Sequence, residues 1–86
     1  MEQHKAWKHK LLDDYYKEIN DAHHYLELAK EAESDSCYMT ANTLEMIAHE
    51  EMTHARFIRG RLEEWDIPHG EKEEEWRALE RHFGYR

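Results

Sequence analysis

The stretch IAHEEMTHARFI at residues 47–58 places a glutamate and a histidine within the apolar side of a predicted helix. Apolar side chains recur around it at three- and four-residue steps, the spacing of one face of an α-helix. This face consists of Leu44, Ile47, Ala48, Ala55, Ile58, Leu62 and Trp65. Glu51 and His54 lie on the same side of the helix. Because a buried carboxylate is costly without a partner, the pattern indicates that Glu51 is paired or bound there.

A second amphipathic pattern precedes this helix and predicts another from about residue 5 to 33. Its apolar positions are Leu11, Leu12, Tyr15, Ile19, Ala22, Tyr25, Leu26 and Ala29. Glu18 lies within that face. The sequence SDS at 34–36 predicts a short turn that supplies the N-cap of the next helix. We expect that helix to span about 36–66, because Pro68 disfavours the helical conformation just before it.

The residues after Gly70 predict a short third helix at about 71–83. Its first turn is acidic, which suits the helix dipole, and Trp76, Leu79 and Phe83 share one face. The sequence therefore predicts one all-α domain over residues 1–86, an antiparallel two-helix hairpin followed by a short helix. A chain of 86 residues is close to the lower limit for building a core alone, so we expect a partner chain.

The composition limits the classes of function. Cys37 is the only cysteine, so any metal must be held by His, Asp or Glu. A formal net charge of -8 disfavours binding to the nucleic-acid backbone. No segment approaches the roughly 20 apolar residues of a membrane span, and MEQHKAWKHK lacks the apolar run of a signal peptide. We therefore expect a cytoplasmic protein that binds neither nucleic acid nor membranes.

The acid-x-x-His spacing alone is weak evidence for a metal site in a chain this rich in acids and histidines. It occurs three times, at Asp21/His24, Glu51/His54 and Asp66/His69. Only the second pair lies within a continuous apolar face. If the two long helices fold back near residue 35, Glu18 and Glu51 each lie roughly 25 Å from the turn. Glu18, Glu51 and His54 should therefore meet at the same level of the hairpin.

Three such side chains between two helices form only part of a metal site. A second copy related by a two-fold axis would complete a four-helix bundle and bring four glutamates and two histidines together. Carboxylate and imidazole ligands suit iron or manganese and leave positions open for O2 or peroxide. The sequence thus predicts a homodimer, or a larger even-numbered oligomer, with a di-iron centre at its interface.

The arrangement Glu18 … Glu51-x-x-His54 resembles one half of the ferritin-like di-iron bundle. EINDAHHYLELA at 18–29 and IAHEEMTHARFI resemble the corresponding helices of ferritins and rubrerythrins. The resemblance covers about residues 10–65 and is closest to the short encapsulated ferritins. It implies that Glu18, Glu51 and His54 bind iron and support Fe(II) oxidation. It also implies a hydrogen-bonding role for Tyr25 beside the site. We place Asp21 and His24 next to the ligands as well. If the metal has an additional ligand, we expect it to be His24.

The chain also departs from the encapsulated ferritins. Lys17 and Asn20 stand where that family has extra acidic residues for iron uptake. No cargo peptide follows RHFGYR, so we do not expect packaging inside a protein shell.

Two other interpretations stay open. Glu51 and His54 could form a hydrogen-bonded pair that only fixes helix register, in a non-catalytic structural or partner-binding protein of ferritin-like fold. A rubrerythrin-like peroxidase is the other alternative. It would need a separate electron donor, because the chain has no rubredoxin-type cysteines.

Overall fold

The computed structural model describes residues 6–84 and consists there of three α-helices without strands. Helix α1 spans Trp7–Ser34, α2 spans Tyr38–Glu64 and α3 spans Glu73–Phe83, with a 3-10 turn at Gly70–Lys72 before α3. The two long helices form an antiparallel hairpin within a molecule of 55 × 24 × 17 Å. The all-α class and the helical hairpin are therefore confirmed.

The predicted helix start at residue 5 lies outside the described residues. Within residues 6–84, no helix carries an apolar stretch sufficient to cross a bilayer.

The turn between α1 and α2 ends the first helix instead of capping the second. The backbone N–H of Cys37 donates to the Ala32 carbonyl at 2.8 Å, and that of Ser36 donates to the Glu33 carbonyl at 2.9 Å. This pair of bonds is a Schellman motif, and Ser36 adopts the left-handed φ of 63° that it requires. The predicted N-cap at 34–36 is therefore wrong. Helix α2 is capped by Cys37 without a side-chain hydrogen bond and begins two residues later than predicted.

The same motif ends α2. The Ile67 N–H donates to the Leu62 carbonyl at 2.9 Å, and Asp66 adopts a left-handed φ of 54°. Ile67 packs against the core that contains Leu62. Helix α2 therefore ends at Glu64, two residues before the predicted end, because this motif terminates it ahead of Pro68.

Glycine at the Ser36 position should stabilise the hairpin. A left-handed backbone costs an L-residue with a side chain roughly 1 kcal/mol or more, and glycine avoids that cost. We expect Ser36→Gly to raise the free energy of unfolding by about 1 kcal/mol in urea titrations. The control is Ser34→Gly, where the backbone is helical, and it should lower stability. Equal effects at both positions would contradict this explanation.

The core lies between the three helices. It includes Tyr15, Ile19, Ala22, Leu26, Ala48, Met52, Ala55, Leu62, Trp76 and Leu79. Three of these side chains are alanines in α1 and α2, so the long helices meet through small residues along part of their contact. Helix α3 adds Trp76 and Leu79, both almost fully buried.

Helix α3 covers one side of the hairpin. On α2 it contacts one stripe, through Arg59 to Glu73 at 3.0 Å and through the rings of His49 and Phe83 at 4.9 Å. His82 Nε2 also lies 3.1 Å from a carboxylate oxygen of Glu45 in that stripe. The stripe consists of Glu45, His49 and Arg59.

A different stripe of α2 lies about 140° around the helix from this one, because successive residues of an α-helix are rotated by about 100°. Together with the matching side of α1 it forms what we call the open face. Its members are Leu11, Glu18 and Tyr25 on α1, and Leu44, Ile47, Glu51, His54 and Ile58 on α2. All of its apolar members remain partly exposed. This face carries the candidate site.

Candidate metal centre

Three ligand-type side chains converge on the open face. Glu18 comes from α1, while Glu51 and His54 lie one turn apart on α2. His54 Nδ1 is 3.7 Å from a Glu18 carboxylate oxygen and 3.6 Å from a Glu51 carboxylate oxygen. One donor atom from each residue lies within 4.8 Å of the others. The hairpin thus brings together the three residues that the sequence predicted to meet.

The two carboxyls are partly withdrawn from water and the histidine is not. The Glu18 and Glu51 side chains are 24% and 21% exposed, whereas His54 is 58% exposed. Burial, a hydrogen bond with Glu51 and the charge of Glu51 raise the pKa of Glu18 to about 7, although the nearby His54 opposes this shift. Near neutral pH, the Glu18 carboxyl therefore holds its proton part of the time.

A divalent cation would suit this group of side chains. Two carboxylate oxygens and one imidazole nitrogen form a donor set that iron and manganese accept. A cation would take the place of the proton on Glu18 and remove the unfavourable approach of two carboxylates. Three protein donors also leave coordination positions free, and these could be filled by water, an oxidant or a second copy of the chain.

The raised pKa of Glu18 predicts a pH effect on the metal-free protein. The folded chain holds this proton more tightly than the unfolded chain does. The stabilising contribution is therefore complete below the ordinary glutamate pKa and is lost as the pH rises through about 7. We expect the wild type to lose unfolding free energy relative to Glu18→Gln as the pH is raised from 5 to 8.

Urea titrations with a chelator present at several pH values test this expectation. Glu27→Gln, an exposed position on the same helix, is the control and should follow the wild type. The raised pKa would be contradicted if the difference in unfolding free energy between wild type and Glu18→Gln did not vary with pH.

The predicted outer residues follow Glu18 on α1 but make contacts of their own. The ring of Tyr25 packs edge-on against the ring of His24, with centroids 5.5 Å apart. Asp21 pairs with Lys17 at 3.0 Å. In the part of the chain that the structure describes, the cluster of ligand atoms includes none of these side chains. Their roles beside the site stay predictions.

Sequence reasoning missed a polar network on the other side of the hairpin. Arg59 donates to the Tyr15 hydroxyl at 2.7 Å and to the Glu73 carboxylate at 3.0 and 3.2 Å. The position of Arg59 in the sequence could have indicated this network. It continues the core spacing of Met52 and Ala55 towards Leu62, so an arginine there needs a partner for its charge.

Comparisons of this chain with protein-family models, curated proteins and solved structures gave no match. The ferritin-like resemblance therefore rests on the two helical segments and the ligand pattern of the sequence.

Proposed function

We propose that the protein binds iron at Glu18, Glu51 and His54 and oxidises Fe(II), at a di-iron centre shared by two copies of the chain. The observation that carries this proposal is the convergence of the three donors on the open face. The raised pKa of Glu18 supports it, because a cation in that position relieves the contact between two carboxylates. We also propose that the protein is cytoplasmic.

The open face supports a symmetric dimer. Partly exposed apolar side chains flank the cluster towards both ends of the hairpin, with Tyr25 and Leu44 on one side and Leu11 and Ile58 on the other. A two-fold axis through the cluster would bury them and place four glutamates and two histidines around one centre. Helix α3 lies against a different stripe and leaves room for the second copy. Trp7 and Trp65 extend the apolar surface at the far end, where they are 43% and 44% exposed.

The chemistry follows from the donor set. Fe(II) is the substrate, and carboxylates stabilise Fe(III) more strongly than Fe(II) because of its higher charge. Two Fe(II) ions supply two electrons, which with two protons reduce O2 to hydrogen peroxide. With peroxide as the oxidant, the same two electrons and two protons give water. The protein holds the ions together and loses a proton from Glu18 when the cation binds.

The experiment changes the interface without touching a ligand. Ile47 lies one turn before Glu51 on the open face, so Ile47→Asp should give a monomer that no longer oxidises Fe(II). Met46→Asp is the matched control, since Met46 is 66% exposed and adjacent in sequence but lies off this face. It should keep both the dimer and the activity. Sedimentation velocity and oxygen consumption report the two properties, and a fully active Ile47→Asp monomer would contradict the proposal.

A non-catalytic role is the second candidate. The distances of 3.6 and 3.7 Å allow a protonated His54 to pair with both carboxylates without any metal. The cluster would then fix the register of two helices in a structural or partner-binding protein. In that case, iron would change neither the oligomeric state nor the melting temperature.

A further inference from the structure

We infer that Tyr15 and Arg59 are positioning residues for the metal cluster, because the hydrogen bond between them helps to fix the axial register of α1 against α2, that is, the position of one helix along the other. This inference rests on the proposed metal site and adds two residues to it. Neither residue belongs to the cluster. They act through the backbone of the helices that carry Glu18 and His54.

The bond between the two helices is short and protected from water. Arg59 Nη1 donates to the Tyr15 hydroxyl at 2.7 Å, and Tyr15 is fully buried. The arginine side chain is itself only 17% exposed. A charged donor in such surroundings gives one of the stronger and more directional protein hydrogen bonds.

Further contacts hold the guanidinium in place. Both of its terminal nitrogens donate to the Glu73 carboxylate, and Arg59 Nε lies 3.4 Å from Glu63. The guanidinium also lies 5.3 Å from the centre of the Trp76 ring. The hydrogen bond from Arg59 lowers the pKa of Glu73, which keeps this carboxylate charged. Arg59 is therefore anchored to α3 while it holds α1.

The position of this bond links it to the cluster. Tyr15 lies one helical turn before Glu18 on α1, and Arg59 lies five residues after His54 on α2, about 7.5 Å along the helix. The buried contacts between α1 and α2 near the cluster combine the small side chains Ala22 and Ala55 with the larger Ile19 and Met52. Small side chains interdigitate shallowly and resist sliding less than large ones. A directional bond therefore adds to the packing of the two larger side chains in defining the axial register here.

Register matters because metal bonds tolerate little displacement. One residue of sliding moves α1 by about 1.5 Å relative to α2, whereas metal-ligand distances vary by only about 0.2 Å. Glu18 approaches His54 from the opposite helix, so a slide of this size changes their separation directly. The Tyr15 and Arg59 pair therefore contributes to the register in which Glu18 can share a cation with the ligands of α2.

Tyr15→Phe is the most direct test, because it removes only the hydroxyl. The probe is Co(II), whose absorption spectrum reports coordination geometry. We expect helix content and oligomeric state as in wild type, about tenfold weaker Co(II) binding and an altered Co(II) spectrum. Tyr16→Phe on the same helix is the control and should match wild type in both metal measurements.

Arg59→Lys provides a second route to the same answer. Lysine keeps the charge but lacks the fork that reaches Tyr15 and Glu73 together, so this variant should show the same spectral change. A purely structural network would lower unfolding stability in Tyr15→Phe and Arg59→Lys but leave Co(II) affinity and spectrum unchanged, and that result would overturn the inference. If wild type itself binds neither Co(II) nor Fe(II), the proposed function is wrong and this inference falls with it.

Discussion

Glu51→Ala and His54→Ala should each abolish Fe(II) oxidation while the helices remain intact. Each substitution removes one of three donors, and loss of a direct ligand should exceed the 10- to roughly 100-fold loss typical of residues that only support ligands. Alanine is the best helix former, so the circular dichroism spectrum should not change. Oxygen consumption under single-turnover Fe(II) loading measures the effect.

Stability provides an independent measure of the same ligands. A metal present at 100 times its dissociation constant stabilises the folded protein by about 2.7 kcal/mol, and this gain should vanish in Glu51→Ala. The metal-free variant should lose little stability, because the substitution removes one of two carboxylates that repel each other. Glu50→Ala changes the neighbouring exposed carboxylate and should behave as wild type. Full activity in both Glu51→Ala and His54→Ala would contradict the assigned ligands.

Trp76→Ala should destabilise the protein by about 3–5 kcal/mol, the usual cost of truncating a buried large aromatic side chain. Trp76 is 1% exposed, and its ring lies 6.1 Å from that of Tyr15. It is the largest side chain that α3 contributes to the core. In a domain whose total stability is about 5–15 kcal/mol, this loss detaches α3 or unfolds the chain. Urea titration followed by circular dichroism measures it.

Trp76→Phe separates packing from the polar atom. Among residues 6–84, the Trp76 Nε1 atom has no hydrogen-bond partner, so its removal ends an unfavourable burial. We expect this variant to lose no more than about 1.5 kcal/mol, because the smaller ring still fills most of the site. If Trp76→Ala were as stable as wild type, α3 would not be part of the cooperative core.

The helices and the level of the cluster were predictable because both follow from periodicity. The apolar spacing defined three helices, and counting residues from the turn placed Glu18 opposite Glu51. The ends of α1 and α2 were less predictable. Ser36 and Asp66 adopt left-handed conformations usually taken by glycine, and no local preference of serine or aspartate requires them.

The network around Arg59 depends on tertiary structure. Its partners lie 44 residues before it and 14 after it in the chain, at Tyr15 and Glu73. The sequence shows an arginine at a core position, but only the packing of α3 shows which acid neutralises it. The apolar positions of the open face also follow from the sequence. The sequence does not show which side of the hairpin α3 covers, so it could not indicate that this face stays open.

A native mass spectrum after anaerobic Fe(II) loading tests the central claim most directly, because it gives the oligomeric state and the metal count together. The proposal predicts an even-numbered oligomer with two irons for each pair of chains. A metal-free monomer, or an oligomer that binds no iron, would contradict it and favour the structural role for Glu18, Glu51 and His54.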